Sequence, residues 1–343
     1  GVCKLKEALT YDDVLLIPQY SDIESRSEVD VSSDLDDNIR LELPIISSPM
    51  DTVTEGAMAM AMCQAGGLGV VHRYNTVERQ TEIVSQAYYA NCKNIAAAVG
   101  MGGGFLERAK SLVEAGANVI CIDVAHGHHA MMERTLKALR DSLGDSVHIM
   151  AGNVATRDGF EKLAGWGADS VRCNIGGGSI CSTRIQTGHG LPGLQTILDC
   201  AKSEVDTKII ADGGIRNSGD IVKAIAAGAD FVMLGSLLAG TNETPGLVVS
   251  DKSGSKYKIY RGMASRDAQK EWRGKMTSAP EGVSTTVPYR GSVDDILYDL
   301  AMGLRSGMSY SGSRTIREFQ SKATFVRQTN ASQTESGTHI LRG

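Results

Sequence analysis

The densest chemistry in the chain sits in one short stretch. Three consecutive glycines, Gly176 to Gly178, are followed by Ser179, Cys181, Thr183 and Arg184, and a second flexible run follows at Gly188-His189-Gly190. Residues without a Cβ reach φ values closed to others and let backbone N–H and C=O groups approach an ion. The apolar run 170–174 ends where this loop begins, so Cys181 lies on a glycine-rich loop at the end of a strand. A cysteine so placed is a candidate nucleophile, with loop N–H groups and Arg184 as the positive potential favouring its thiolate. The competing reading is a buried, inert cysteine, since free cysteine is among the most buried residue types.

Other candidates are weaker alone. Asp212 closes an otherwise apolar run and is either a capping carboxylate or a ligand for a pair of sugar hydroxyls; Asp123 ends a similar run and suits a second nucleotide. His126, His128 and His129 lack a partner at zinc-site spacing, which favours a solvated loop or cofactor-edge role over a metal. The Met-rich stretch 57–62 reads as core packing. Glu281, between Pro280 and Gly282, matters only if its segment closes over Cys181.

The elements that must position these residues follow a rhythm from residue 43 onward. Apolar runs at 43–50, 68–72, 95–99, 118–124, 147–153, 170–174, 208–211 and 231–236 alternate with helical segments. Such alternation predicts parallel strands with crossover helices. Three junctions are near-copies, Ala115-Gly-Ala-Asn118, Trp166-Gly-Ala-Asp169 and Ala227-Gly-Ala-Asp230, each a helix ended by glycine and a short entry into the next strand. Eight units predict an α/β fold of the (β/α)8 barrel type, with its chemistry at the C-terminal ends of the strands. A doubly wound sheet is disfavoured, because Asp51-Thr-Val-Thr54 follows the first run in place of G-x-G-x-x-G. Gly213-Gly214 and Gly235-Ser236, after the last two strands, sit where barrels commonly hold phosphate.

The first forty residues read as a segment outside the repeat, 240–291 as a lid inserted after the eighth strand, and 327–343 as a mobile tail, all within one domain spanning 1–343. The formal net charge of −5 gives no reason to expect a nucleic-acid or anionic-membrane partner. No apolar run is long enough to span a bilayer, and no signal-like segment opens the chain. The seven scattered cysteines contain no CxxC pair, which suggests free thiols in a reducing cytoplasm.

With these residues assembled, the chain resembles the inosine-monophosphate dehydrogenase / guanosine-monophosphate reductase family over nearly its whole length. The matching words are Leu9-Thr-Tyr-Asp-Asp-Val-Leu-Leu-Ile-Pro18, Ser47-Ser-Pro-Met-Asp-Thr-Val-Thr-Glu55, Gly152-Asn-Val-Ala-Thr156, Gly178-Ser-Ile-Cys-Ser-Thr-Arg184, Ala211-Asp-Gly-Gly-Ile215, Tyr260-Arg-Gly-Met263 and Gly303-Leu-Arg-Ser-Gly307. The resemblance implies that Cys181 attacks C2 of a purine to form a thioimidate. It implies that Ser48, Met50, Ser179, Asp212, Gly214, Gly235, Ser236, Tyr260, Gly262 and Met263 hold the nucleotide. Asp123, Val124, Ala125, Asn153 and Arg172 would line the nicotinamide side, and the Gly176, Gly178 and Cys181 carbonyls would match a monovalent-cation site, potassium for example. A homotetramer is the family's assembly.

The resemblance also bears on reaction direction. A dehydrogenase hydrolyses its thioimidate with an Arg-Tyr pair on a longer flap; between Met263 and Glu281 there is no such pair, and Trp272-Arg273 has the wrong order. A reductase needs to protonate departing ammonia, and the family's Thr-plus-Glu arrangement matches Thr183 and Glu281. Ser25-Arg-Ser-Glu-Val29 and Ile122-Asp-Val-Ala-His126 are reductase-like too, and 73–96 leaves no room for the regulatory cystathionine-synthase-type (CBS) pair usual in dehydrogenases. Tyr260-Arg-Gly-Met263, Ser47-Ser-Pro-Met-Asp51 and Thr334-Glu-Ser-Gly337 lean towards the dehydrogenase, and the last could complete a cation site across subunits. Asn174 stands where the family usually has glycine, and His189 where it usually has valine. The expectation is an NADPH-dependent GMP reductase, with IMP dehydrogenase using NAD as the alternative and a catalytically silent purine-nucleotide-binding barrel as the second.

Overall fold

The computed structural model describes residues 5–276 and 278–338. Strands β1 (Val14–Leu16), β2 (Ser33–Asp34) and β3 (Arg40–Leu41) precede the repeat. Then come β4 (Ile45–Ser47), β5 (Leu68–Val71), β6 (Ala96–Val99), β7 (Val119–Asp123), β8 (His148–Val154), β9 (Ser170–Cys173), β10 (Lys208–Asp212) and β11 (Phe231–Leu234). These eight are parallel and form a closed barrel in chain order, with β11 returning to β4 through the pair Leu234 and Ser47. The helices among them are α1 (Gly56–Gln64), α2 (Val77–Tyr89), α3 (Phe105–Glu114), α4 (Ala130–Leu143), α5 (Arg157–Gly165), α6 (Thr183–Thr187), α7 (Gly193–Cys200) and α8 (Ser218–Ala226). The chain is a (β/α)8 barrel. Only the first strand is much shorter than its apolar run, because Pro49 has no N–H to continue a ladder.

Local signals set the joints. Thr76, Thr156 and Asn217 cap α2, α5 and α8 by accepting from Arg79 N, Gly159 N and Asp220 N. The repeated Ala/Trp-Gly-Ala junctions all place glycine at left-handed φ: 113° at Gly116, 109° at Gly167 and 112° at Gly228. A Cβ at Gly228 would lie 2.5 Å from Ala201 Cβ, so the junction is closed to other residues by contact as well as by φ.

Both faces of the barrel strands are buried, which is why they read as continuous apolar runs. Ala96, Ala98, Val119, Cys121, Met150, Ile210, Phe231 and Met233 point inward, and Leu35, Ile39 and Leu41 of the β2–β3 hairpin join the same cluster. The hairpin lies outside the repeat, as expected, and forms the floor of the barrel. His148, at the start of β8, fastens it by bonds to Asp36 Oδ2 and Ser170 Oγ, both 2.8 Å.

After β11 the chain leaves the barrel. Strands β12 (Val249–Ser250), β13 (Lys256–Arg261) and β14 (Ser284–Pro288) make a separate antiparallel sheet, with α9 (Arg266–Arg273) between the last two. This is the expected lid. Helix α10 (Val293–Ser309) then packs on α8, where a Cβ at Gly307 would lie 2.6 Å from the Val222 methyls. The tail carries α11 (Ile316–Lys322), β15 (Phe325–Arg327) paired with β1, and α12 (Asn330–Glu335). Residues 339–343, the end of the segment expected to be a mobile tail, lie outside the described residues.

Candidate active site

A cleft of about 420 Å³ opens at the C-terminal ends of the barrel strands, under the lid. Every residue to which the resemblance assigns a role borders it. Ser48, Met50, Ser179, Asp212, Gly214, Gly235, Ser236, Tyr260, Gly262 and Met263 line one part, Asp123, Val124, Ala125, Asn153 and Arg172 another, and Gly176, Gly178, Cys181, Thr183 and Glu281 the region between. The three clustered histidines do not line it. His129 caps α4 by accepting from Met131 N, and His128 lies beside Trp166. Partial burial and the neighbouring histidines draw the His126 pKa below its ordinary value. Among the described residues no group of histidines, cysteines and carboxylates is placed to hold a metal.

The lid reaches Cys181 by main-chain pairing. Cys181 forms an antiparallel bridge with Gly282, Ser182 N donates to Glu281 O at 3.0 Å, and Val283 N donates to Ile180 O at 3.0 Å. A side chain at Gly282 would crowd Ser265 N at 3.2 Å and Gly262 Cα at 3.3 Å, so the close approach depends on glycine. Docked this way, Cys181 Sγ–H donates to Thr183 Oγ1 at 3.2 Å, and Thr183 Oγ1–H donates to Glu281 Oε2 at 2.7 Å. Thiol, hydroxyl and carboxylate form a continuous proton path.

Asn174 and Arg184 support the loop from beneath. Asn174 holds φ at 148°, its N–H donates to Val154 O at 2.8 Å and its Nδ2 to Gly213 O at 3.2 Å. Arg184, expected to favour the thiolate, instead donates to the carbonyls of Ile175 and Leu191. Those carbonyls belong to an isolated bridge that closes the loop, and the guanidinium fork is consumed in bracing it.

At one end of the cleft, glycine backbone comes together with the hydroxyls of Ser48 and Tyr260. Gly213 and Gly214 hold φ near 80°, and a Cβ at Gly235 would meet Tyr260 OH at 2.9 Å, Met50 Sδ at 3.3 Å and Ser48 Oγ at 3.5 Å. Burial pushes the Tyr260 phenol up to about 12, so it is a neutral hydrogen-bond donor throughout the physiological range.

At the other end lies a buried charge chain that composition did not reveal. Arg172 donates through both terminal nitrogens to Asp123 Oδ1, each 2.9 Å, through Nε to Asp212 Oδ2 at 3.1 Å, and to Cys121 Sγ at 3.2 Å. Burial disfavours its charge, yet Cys121, Asp212 and Asp123 hold its pKa above the ordinary arginine range. Asn153 Nδ2 donates to the same Asp212 oxygen at 2.8 Å and to Asn174 O at 3.0 Å. Arg73, just after β5, donates to Asp123 O at 3.0 Å and is a charged residue of the cleft that no sequence motif marks. Asp212 thus keeps Oδ1 for a ligand, and Asn153 Oδ1 is buried with no partner among the described residues.

A barrel, a cysteine loop, a lid-borne glutamate and a glycine-serine anion cradle in this order match one family model, the IMP dehydrogenase / GMP reductase domain, over residues 8–339. The chain belongs to this family. Among its members, inosine-5'-monophosphate dehydrogenase of Cryptosporidium parvum is 37% identical over 394 aligned residues, spanning 99% of this chain and 96% of that protein. GMP reductase of Leishmania major is 34% identical over 481 residues, spanning 98% of each. A cysteine-to-alanine variant of Trypanosoma brucei GMP reductase, in complex with guanosine 5'-monophosphate, superposes with a TM-score of 0.91 at 33% identity, covering 98% of each chain. Both activities in the family name are oxidoreductions, and this chain is an oxidoreductase of that family.

Proposed function

We propose that this member of the family is a GMP reductase, converting guanosine monophosphate to inosine monophosphate and ammonia at the expense of NADPH. The observation that carries the reading is the path from Cys181 through Thr183 to Glu281, which can strip a proton from sulfur and return it to a leaving amine. The phosphate lies among Ser179, Gly214, Gly235, Ser236 and Tyr260, a ribose hydroxyl on Asp212 Oδ1, and the base against Met50, Gly262 and Met263, above Cys181. As Sγ attacks C2, its proton moves to Thr183 Oγ1 while the Thr183 proton passes to Glu281. The same path, run backwards, protonates the amino group on C2; the C–N bond breaks, ammonia departs and a thioimidate remains.

The unpartnered Asn153 Oδ1 fits a nicotinamide cofactor, since it can accept from a carboxamide N–H or a ribose hydroxyl. Asp123, Val124, Ala125, Asn153 and Arg172 would hold it, and when bound it supplies the hydride for C2. Cys181 sulfur then leaves as thiolate and takes up a proton from solvent, since its first proton has left with ammonia. The carbonyls of Gly176, Gly178 and Cys181 would carry a monovalent cation; Gly178 O already accepts from Cys181 N at 3.1 Å and keeps a second lone pair. A homotetramer in the cytoplasm completes the proposal.

The dehydrogenase alternative draws support from relatives such as the Cryptosporidium enzyme. Against it, the lid between Met263 and Glu281 is filled by the short helix α9 and has no Arg-Tyr pair to activate water. Purified protein with GMP and NADPH should lose the reduced-nicotinamide absorbance and release ammonia, and a Cys181→Ala variant should do neither. Reduction of NAD with IMP, yielding xanthosine monophosphate, would establish the dehydrogenase instead.

A further inference from the structure

Lys258 is a buried cation that the proposed chemistry does not use. It sits on β13 two residues before Tyr260, on the same inward face, and only 3% of it is exposed. Its ammonium donates to three main-chain carbonyls of one turn: Thr241 O at 2.9 Å, Asn242 O at 3.4 Å and Thr244 O at 2.5 Å. Lysine carries three donors, so the cage satisfies it. No carboxylate pairs with it among the described residues; Glu243, the acidic residue that acts on its charge, is turned to α10 and accepts from Val293 N. Carbonyl oxygens converging on one positive charge are how a backbone coordinates a monovalent ion.

The cage has one neighbour of consequence on each side. The turn at 241–244 continues directly from Gly235-Ser236: Leu238 N and Ala239 N donate to Gly235 O, and Thr241 Oγ1 donates to Leu238 O. On the other side, β13 carries Tyr260, whose hydroxyl must come within contact of Gly235. The β13 sheet shares no ladder with the barrel: Arg290 N and Asn242 N pair its far end with Gly240 and Gly291, Arg261 holds its near end to Thr52 and Asp51, and Lys258 is the side chain that ties β13 itself to the 241–244 turn.

We infer that Lys258 is a positioning residue, an internal ammonium that takes the place of a bound monovalent ion in the 241–244 carbonyl cage and sets the distance between Tyr260 and the Gly235-Ser236 turn. This rests on reading those groups as the phosphate cradle of the nucleotide. It is tested in the full chain carrying Trp166→Phe, where Trp272, hydrogen-bonded to Asp51, becomes the sole tryptophan and reports lid docking without substrate.

Lys258→Ala should shift the Trp272 emission to the red and raise KM for GMP about tenfold or more, with kcat reduced far less, because buried carbonyls are left unpaired. Ethylammonium chloride should restore both readings, whereas tetramethylammonium chloride should not; ammonium is avoided as the proposed product. Lys258→Met should show the same defects without rescue, since its side chain fills the space. Emission and KM within about twofold of the parent, or a defect that ethylammonium leaves untouched, would overturn the inference. If the alanine variant does not fold, Lys258→Arg against Lys258→Met decides: arginine closer to the parent upholds it, methionine as good or better overturns it. Should the parent turn over neither GMP nor IMP, the functional reading fails while the emission and its rescue still decide this one.

Discussion

Changing Glu281 to glutamine removes one charge and almost no volume. The main-chain bond from Ser182 N to Glu281 O and the side-chain bond from Ser182 Oγ to Pro280 O remain, so the lid still docks. What is lost is the terminal acceptor of the proton path, 2.7 Å from Thr183 Oγ1. A hydrogen bond to an ionised partner contributes ~1.5–3 kcal/mol, and a positioned acid–base group about 10²–10⁴ in rate. Glutamine can still accept from Thr183 but cannot take its proton, so the larger figure governs. Glu281→Gln should lower kcat for ammonia release by about 10²–10⁴, ~3–5 kcal/mol, with KM for GMP changed by less than about threefold. The assay is single-turnover ammonia release with GMP and NADPH, run beside alkylation of Cys181 by iodoacetamide, which should also slow. A kcat within about threefold of the parent would refute the proton path.

Tyr260 and Asp51 give two further tests. The Tyr260 phenol is raised from 10.0 to about 12 by burial, so its contribution to stability is present in full below pH 10 and is lost as pH climbs through about 12. Unfolding free energy of the parent should fall by about 2–3 kcal/mol more than that of Tyr260→Phe across that window, and parallel curves would refute the assignment. Asp51, with only 5% of its side chain exposed, accepts from Arg261 Nε at 3.0 Å and Trp272 Nε1 at 2.9 Å, pinning the lid to the end of β4. Asp51→Asn leaves Arg261 half-paired and should speed proteolytic cleavage within α9 by about tenfold or more while barely moving the barrel's melting point; unchanged cleavage would refute the lock.

Much of this molecule could be read before it was seen, because its signals are local. The barrel follows from apolar runs and from three glycine junctions whose φ values agree within a few degrees, and each junction is written within four residues. The site residues were legible for the same reason: strand ends put them on one face, and resemblance supplied their roles. What could not be read depends on contacts between distant segments. That Glu281 closes on Cys181 is settled by a bridge to Gly282, a pairing with no local signature. The Asp36–His148 floor pairs residues that only the closed barrel brings near, while the Arg184 brace and the Lys258 cage depend on how irregular loops fold back, for which the sequence carries no periodic signal.

The bridge between Cys181 and Gly282 also makes reactivity conditional. Glu281 travels with the lid, so whatever swings the lid away to admit or release a nucleotide also takes away the acceptor that draws the proton from sulfur. The path from sulfur through Thr183 to the carboxylate is therefore complete only while the lid is docked. Closing the cleft and completing the proton path are thus the work of one piece of chain, 281–283.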